Sequence, residues 1–369
     1  MMRTFFESLL LISLSILVSI VSLAQENKYV AQKIPLRKEF QDFLNSKQRV
    51  FLNLDRCKLE ILQPKSIIGK EFNEIDIDPL FLLNPVDCLQ WRDSLLITDQ
   101  DQNCIFVADK YGKLIRRVGV KGKGPGDFDM PTFIKKNSKY LFVIELGNRR
   151  VQIMNHNFKY IKSVLYPMAS GNICVGERYF TITTGLSLSD YAYCVYQADR
   201  PFNKVREILP QALPREKGWR GNNYYHISSN QEVMIIGTKL LPFLFIFDHE
   251  GNHLSTIEFT GVKASHVEDN LKIEFDEKVI TYKSSFSNGS LVFSNGDILL
   301  NVQPDIFHLK REGKDYQKYS IKCCYRLEKP TRQQKIKNEV FKYAYILIQL
   351  EHDIFYTIQD DKIIQYQLR

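Results

Sequence analysis

From Cys104 to Val118 the chain reads CIFVADKYGKLIRRV: two apolar runs joined by a polar turn that contains Gly112. A short loop with a glycine able to take positive φ, set between two runs rich in β-branched and aromatic residues, predicts a β-hairpin. The same unit returns four times. Arg150–Met154 leads through Asn155–Phe158 to Lys159–Val164, and Val195–Asp199 leads through Arg200–Asn203 to Lys204–Leu209. Phe243–Phe247 then leads through Asp248–Gly251 to His253–Phe259, and Asp305–Leu309 leads through Arg311–Lys314 to Tyr316–Ile321. Setting Tyr111-Gly112 against Asn157-Phe158 gives a spacing of 46 residues. A lone hairpin cannot bury its apolar face, so a hairpin repeated at this interval requires stacked neighbours. The further strands Ser94–Asp99 and Tyr140–Glu145 bring each unit toward four strands, the size of a propeller blade. Insertions at Leu209–Tyr225 and about Val262–Lys283 stretch the period.

The two ends of the chain complete the pattern. Phe341–Gln349, Ile354–Ile358 and Lys362–Gln367 supply three strands and then the chain stops. Three strands would leave an open edge. Lys58–Leu62 (KLEIL) alternates polar and apolar and has no hairpin partner nearby, so it is expected to supply the fourth. The fold expected is all-β: a six-bladed β-propeller of four-stranded antiparallel blades, its ring closed by an N-terminal strand joining the last blade. The propeller spans residues 57–369, behind a lead-in at 25–56. Helix is expected only at Arg332–Phe341.

Residues 1–24 read as an export signal. Arg3 precedes an uncharged apolar run, Leu9–Leu23, and Ser22-Leu23-Ala24 sets small residues at a signal-peptidase site. The expected location is periplasmic or extracellular, with the signal either cleaved or kept as an anchor. The net charge is 50 − 42 = +8, spread without a block of like charges, and 44% of residues are hydrophobic. This describes a soluble globular surface and argues against a nucleic-acid partner. The seven cysteines form neither a C-x-x-C zinc pattern nor a disulfide framework; several sit within strands as small apolar residues.

Ile105–Gly112, Lys113–Val118 and the run Gly119-x-x-Gly122-x-Gly124-Pro125-Gly126-Asp127-Phe128 resemble the six-bladed propeller family of exported bacterial proteins, related to NHL-repeat and TolB-like propellers. There an aliphatic-aromatic-Val-x-Asp-x-x-Gly-Lys hairpin is followed by Gly-x-Gly-Pro-Gly-Glu-Phe; here Asp127 replaces the Glu. The resemblance is sharp over residues 90–165. It implies export, often as a lipoprotein, although no cysteine follows the apolar run here. It implies no catalytic residue.

Few residues point to chemistry. Gly122-x-Gly124-x-Gly126 lacks the GK[ST] and the following helix of a phosphate loop, so it reads as an inter-blade crossover. His249 and His253 flank one turn beside Asp248, a weak metal pattern. Asp99, Asp101 and Glu145 stand at strand ends, where a carboxylate pair or ordinary turn bonding would each account for them. No catalytic residue, metal or cofactor is assigned. Topology is more informative. In such blades the second-to-third turns and the crossovers share one rim, which carries Asp99, Asp101, Lys121, Lys123 and Arg149. It also carries the insertion with Trp219, Arg220 and Tyr224, where Trp219 suits either recognition or a local blade cap. These residues are the candidate ligand-binding set. The reading is a non-catalytic module that binds a protein, peptide or carbohydrate and is compatible with association with the cell envelope. A propeller hydrolase or lyase with its site in the central channel is the alternative.

Overall fold

A computed structural model describes residues 32–33, 36–47, 49–55, 57–62, 66–68, 82–109, 112–165, 172–184, 189–212, 225–238, 241–261, 272–276, 279–281, 289–293, 295–302, 305–313, 315–323, 346–349, 354–359 and 362–368. Six blades follow one another along the chain. Blade 1 is Pro85–Trp91, Ser94–Asp99, Cys104–Asp109 and Leu114–Val118. Blade 2 is Pro131–Lys136, Tyr140–Glu145, Arg150–Asn155 and Tyr160–Leu165. Blade 3 is Ile173–Val175, Tyr179–Thr183, Tyr191–Gln197 and Lys204–Pro210. Blade 4 is Tyr225–Ser229, Val233–Thr238, Phe243–Asp248 and His253–Thr260. Blade 5 is Gly289–Val292, Ile298–Val302, Asp305–Glu312 and Asp315–Cys323. Blade 6 takes Ile346–Gln349, Ile354–Gln359 and Lys362–Gln367 from the C-terminus and Ser66–Ile68 from the N-terminus. The first strands of successive blades contact each other, and that of blade 6 meets that of blade 1, which closes the ring.

The sequence pattern follows from this stacking. The middle strands of a blade pack on neighbours through both faces, so they read as unbroken apolar runs. Leu95–Asp99 and Cys104–Ala108 are buried throughout, whereas the outer strand LIRRV is partly or fully exposed. Blade-to-blade cores result, such as Leu96, Ile105, Phe128, Ile134, Leu141 and Val143 between blades 1 and 2. The third-to-fourth hairpins of blades 1 to 4 share one bulge, at Val107/Ala108, Ile153/Met154, Val195/Tyr196 and Ile246/Phe247. Each has one turn residue at positive φ: Gly112, Phe158, Phe202 and Gly251. An extra residue with positive φ is what lets a short loop match the strand twist. The hairpin of blade 5 pairs without a shift.

The closing strand differs from the expected one. Ser66–Ile68 pairs antiparallel with Lys362–Gln367, whereas Lys58–Leu62 runs parallel to Asp315–Cys323 as a fifth strand of blade 5. Alternation identifies a strand but carries no information on its partner, and the shorter segment eight residues on satisfies the last blade. Arg49–Asn53 likewise adds in parallel to blade 4. The N-terminal segment is therefore a belt along the outer edges of blades 4 and 5, covering ladders that would otherwise face solvent. Within the insertion after blade 4, Lys272–Asp276 and Val279–Thr281 form a small sheet with Gln32–Lys33. The helix expected at Arg332–Phe341 falls outside the described residues.

The belt begins with a helix, α1, at Lys38–Asn45, which the polarity of the lead-in concealed. Phe40, Phe43 and Leu44 at i, i+3 and i+4 make one apolar stripe. Phe40 and Leu44 are buried, and Phe43 stacks on His253 with centroids 4.3 Å apart. Upstream, the Arg37 amide donates to Ala212 O at 2.9 Å, tying α1 to the end of blade 3. His253 is enclosed by Phe43, Phe245 and Phe247, donates from Nε2 to Ser255 O, and lies near Lys47. Burial, with Lys47 as a smaller contribution, pushes its imidazole down to about 4. The unfolded chain, at about 6.5, then takes up the proton first. His253 therefore contributes stability above pH 6.5 that is lost as pH falls from about 6.5 toward 4. Urea melts of the wild type and of His253→Phe should diverge across this window, with the wild type losing more. Parallel curves would contradict it.

Candidate functional site

The glycine loop is a latch, and blade 2 holds it. Phe128 is fully buried, and a Cβ on Gly119 (φ 83°) would lie 2.2 Å from its ring. Glu145, at the end of the second strand of blade 2, is also fully buried. Its carboxylate accepts from Arg150 Nε at 2.8 Å, Gln152 Nε2 at 2.6 Å, Asn148 Nδ2 at 2.6 Å and the Asp129 amide at 3.1 Å. These donors reach on into the loop. Arg150 donates to Lys123 O at 2.9 Å and to Gly124 O and Asp127 O at 3.0 Å; Asn148 donates to Gly122 O at 2.8 Å. The glycine amides are used as well. Gly122 N donates to Phe128 O, Gly124 N to Asp127 Oδ2 and Gly126 N to Gln152 Oε1. With these three amides bonded inside the protein, the loop offers no ring of free N–H groups for a phosphate. The crossover reading describes it.

Asp99 is the counterpart of Glu145 in blade 1. Its buried carboxylate accepts from the amides of Leu83 at 2.8 Å, Asn84 at 3.3 Å and Gln102 at 3.0 Å, so it acts within the chain as a turn cap. Asp101 is exposed and accepts from Asn84 Nδ2 at 3.0 Å. Lys121, Lys123 and Arg149 are exposed on the same rim, Arg149 with φ 49°. Trp219, Arg220 and Tyr224 lie outside the described residues. The rim also exposes Leu83, Val120, Met130, Leu165 and Tyr191.

The opposite face carries a device that repeats two blades apart. Asn137 in blade 2 donates its side-chain amide to Gly176 O of blade 3 at 3.5 Å, and Asn230 in blade 4 donates to Phe293 O, after the first strand of blade 5, at 2.8 Å. A histidine 19 residues later braces each turn: His156 on Asn137 O at 3.0 Å, His249 on Asn230 O at 2.8 Å. A carbonyl only accepts, so Nε2 carries a proton in both rings and Nδ1 is the nitrogen left outside the brace. His249 thus serves its turn while His253 turns into the α1 contact, and the two do not converge on a metal. Among the described residues no group of three or more His, Cys, Asp or Glu is placed to hold one. Beside His156 lies an open cleft of about 320 Å³, between the turns of blades 1, 2 and 3. The buried thiols of Cys88, Cys104, Cys174 and Cys194 are free, and burial pushes each up, Cys104 and Cys194 to about 11, which keeps them protonated and unreactive.

Residues 80–294 match the family described as "6-bladed beta-propeller" (DUF5128). The chain belongs to this family. No curated protein matches it. Among solved structures, this propeller is similar to an exported-protein candidate of Bacteroides fragilis, at 14% identity and a TM-score of 0.52, covering 86% of this chain and 99% of the other. A DUF4221 protein of Bacteroides vulgatus matches at 8% identity and a TM-score of 0.52, covering 84% and 97%. Virginiamycin B lyase of Staphylococcus aureus matches at 10% identity and a TM-score of 0.43, covering 82% and 100%, a likeness too loose to bear on chemistry. The first two place the propeller's fold.

Two parts of this propeller escaped the sequence reading. Arg150 and Gln152 looked like ordinary alternating strand residues, because nothing local marks a side chain that reaches back 25 or more residues into a crossover. The Asn–His brace did leave a trace, the equal Asn137–His156 and Asn230–His249 spacing, legible only once both turns were aligned by blade.

Proposed function

We propose that this propeller is an exported, non-catalytic binding module that holds a protein, peptide or carbohydrate partner of the cell envelope on its crossover rim. The observation that carries the reading is the make-up of the rim over blades 1 to 3. Val120 (60% exposed), Leu165 (82%), Leu83, Met130 and Tyr191 stand among Lys121, Lys123 and Arg149. An exposed apolar set interleaved with cations is the make-up of a recognition surface. Asp99 and Glu145, the carboxylates that a hydrolytic site on this rim would draw on, are buried and bonded to the chain itself. Trp219, Arg220 and Tyr224, which the sequence reading counts among the binding candidates, lie outside the described residues, and the proposal rests on the described part of the rim. Export is supported by the apolar run Leu9–Leu23 with its small-residue site and by the exported-protein candidate among the structural neighbours.

Two linked measurements test the reading. Cell fractionation should find the full chain outside the cytoplasm and the chain without residues 1–24 inside; equal distribution would end the export claim. The purified mature protein should bind an isolated envelope fraction in a salt-sensitive way, because exposed cations are screened by salt. The Lys121→Glu, Lys123→Glu, Arg149→Glu variant should lose most of that binding at an unchanged melting temperature, since exposed substitutions usually shift stability by about 0.5 kcal/mol or less. Undiminished binding would remove the rim from the proposal.

A further inference from the structure

The cleft on the opposite face is built differently from the rim. Trp91 and Arg92 come from the turn of blade 1, Lys136 from the end of the first strand of blade 2, His156 from its outer hairpin and Glu177 from the turn of blade 3. First-to-second turns lie beside the central opening, so the cleft sits at the mouth away from the crossovers. Its charges are unequal in availability. Glu177 is engaged by the Ser138 amide at 3.2 Å and by the Ser138 hydroxyl. Arg92 and Lys136 are exposed and have no carboxylate partner among the described residues. Two unpaired cations on adjacent blades leave a net positive cleft in which an anion finds charge-assisted donors from both sides. The Arg92 guanidinium lies 4.6 Å from the Trp91 ring centroid, and Phe158 meets the same ring edge-on at 5.6 Å. Trp91 Nε1 is buried without a hydrogen-bond partner. His156 Nδ1 is left outside the Asn137 brace as a polar atom for a hydroxyl, which can donate to it or accept from it.

We propose that this cleft is a second binding site, for a small hydroxylated organic anion whose carboxylate or sulfate bridges Arg92 and Lys136. At about 320 Å³ it stands at the lower end of ligand pockets, room for one sugar-sized ring or slightly more. The Asn137 brace fixes the turn beneath it, since its Oδ1 accepts from the amides of Lys139 and Tyr140 and its Nδ2 reaches blade 3. Lys136 therefore stands beside a braced turn. The site is independent of the rim: it uses other residues on the other face and survives failure of the rim reading.

The chain has two tryptophans, so Trp219→Phe leaves Trp91 as the single indole reporter. Glucuronate and glucose share a ring and differ in a carboxylate, and they are the probes. Glucuronate should produce a saturable change in Trp91 emission as Arg92 is drawn off the indole; glucose should not. Inorganic sulfate should compete. Arg92→Gln and Lys136→Gln should each weaken glucuronate roughly tenfold, about 1.4 kcal/mol per lost charge. Calorimetric titration of the unsubstituted protein gives the same readout without the reporter variant. An equal response to glucose, a response that never saturates, or glucuronate binding unaffected by both glutamine variants would each overturn the proposal.

Discussion

Glu145→Ala is expected to cost about 3–5 kcal/mol, the range for removing one partner of a buried ion pair. Glu145 is fully buried and Arg150 nearly so, with side-chain exposures of 0% and 13%. Removing the carboxylate leaves the guanidinium, the Gln152 amide and the Asn148 amide without their common acceptor. It also frees the Asp129 amide at the start of blade 2. The melting temperature should fall by roughly 5–10 °C. Arg150→Ala should fall by a similar amount, and the double variant by clearly less than the sum, because both changes dismantle one network. A local readout separates this from general destabilisation. In Arg150→Ala the loop carbonyls of Lys123 and Gly124 lose their donor while Asp127 O keeps Gln152 Nε2, so trypsin should cleave after Lys121 or Lys123 under native conditions. Wild-type melting with an intact loop would show that the network contributes little.

Phe40→Ala should have the second large effect. The ring is fully buried against Phe245, at 5.8 Å and nearly perpendicular, and loss of a buried phenylalanine costs about 3–5 kcal/mol. The site of the loss limits its reach. Helix α1 and the strands Arg49–Asn53 and Lys58–Leu62 are additions at the outer edges of blades 4 and 5, so the variant should open the belt before the ring. Hydrogen exchange should quicken over Arg49–Asn53 and along its parallel partner His253–Thr260, with the second and third strands of blade 1 unchanged. The uncovered edge should raise light scattering at high protein concentration. Uniform loss of protection across all blades would instead make the belt part of the ring's cooperative unit.

How far the chain could be read turned on range. The five hairpins appear where periodicity, turn chemistry and a residue of positive φ act together, as at Asp109–Lys113 and Asp248–Asn252. Three C-terminal strands without a fourth imply closure from the N-terminus, and that is the topology found. Identifying the closing strand failed because Lys58–Leu62 and Ser66–Ile68 are both good strand sequences. Parallel addition to blade 5 and antiparallel addition to blade 6 use the same backbone groups, and choosing between them requires knowing which edge lies within reach. Helix α1 was concealed for a similar reason: eight mostly polar residues are helical only because Phe245, Phe247 and His253 receive their one apolar stripe.

For binding, the sequence by itself determined which side chains share a rim, since strand direction alternates and the turns follow. Only the tertiary structure decided what those side chains are free to do. Asp99 and Glu145 look like available carboxylates in one dimension, and both are taken up by amides from segments 15 or more residues away or by neighbouring donors. Arg92 and Lys136 look like ordinary surface charges, and it is the meeting of two turns 44 residues apart that brings them to one cleft, with neither paired to a carboxylate among the described residues. Repetition along a chain specifies how blades are built, because each blade is a local object. Burial and partnership arise between blades, where no local pattern records them.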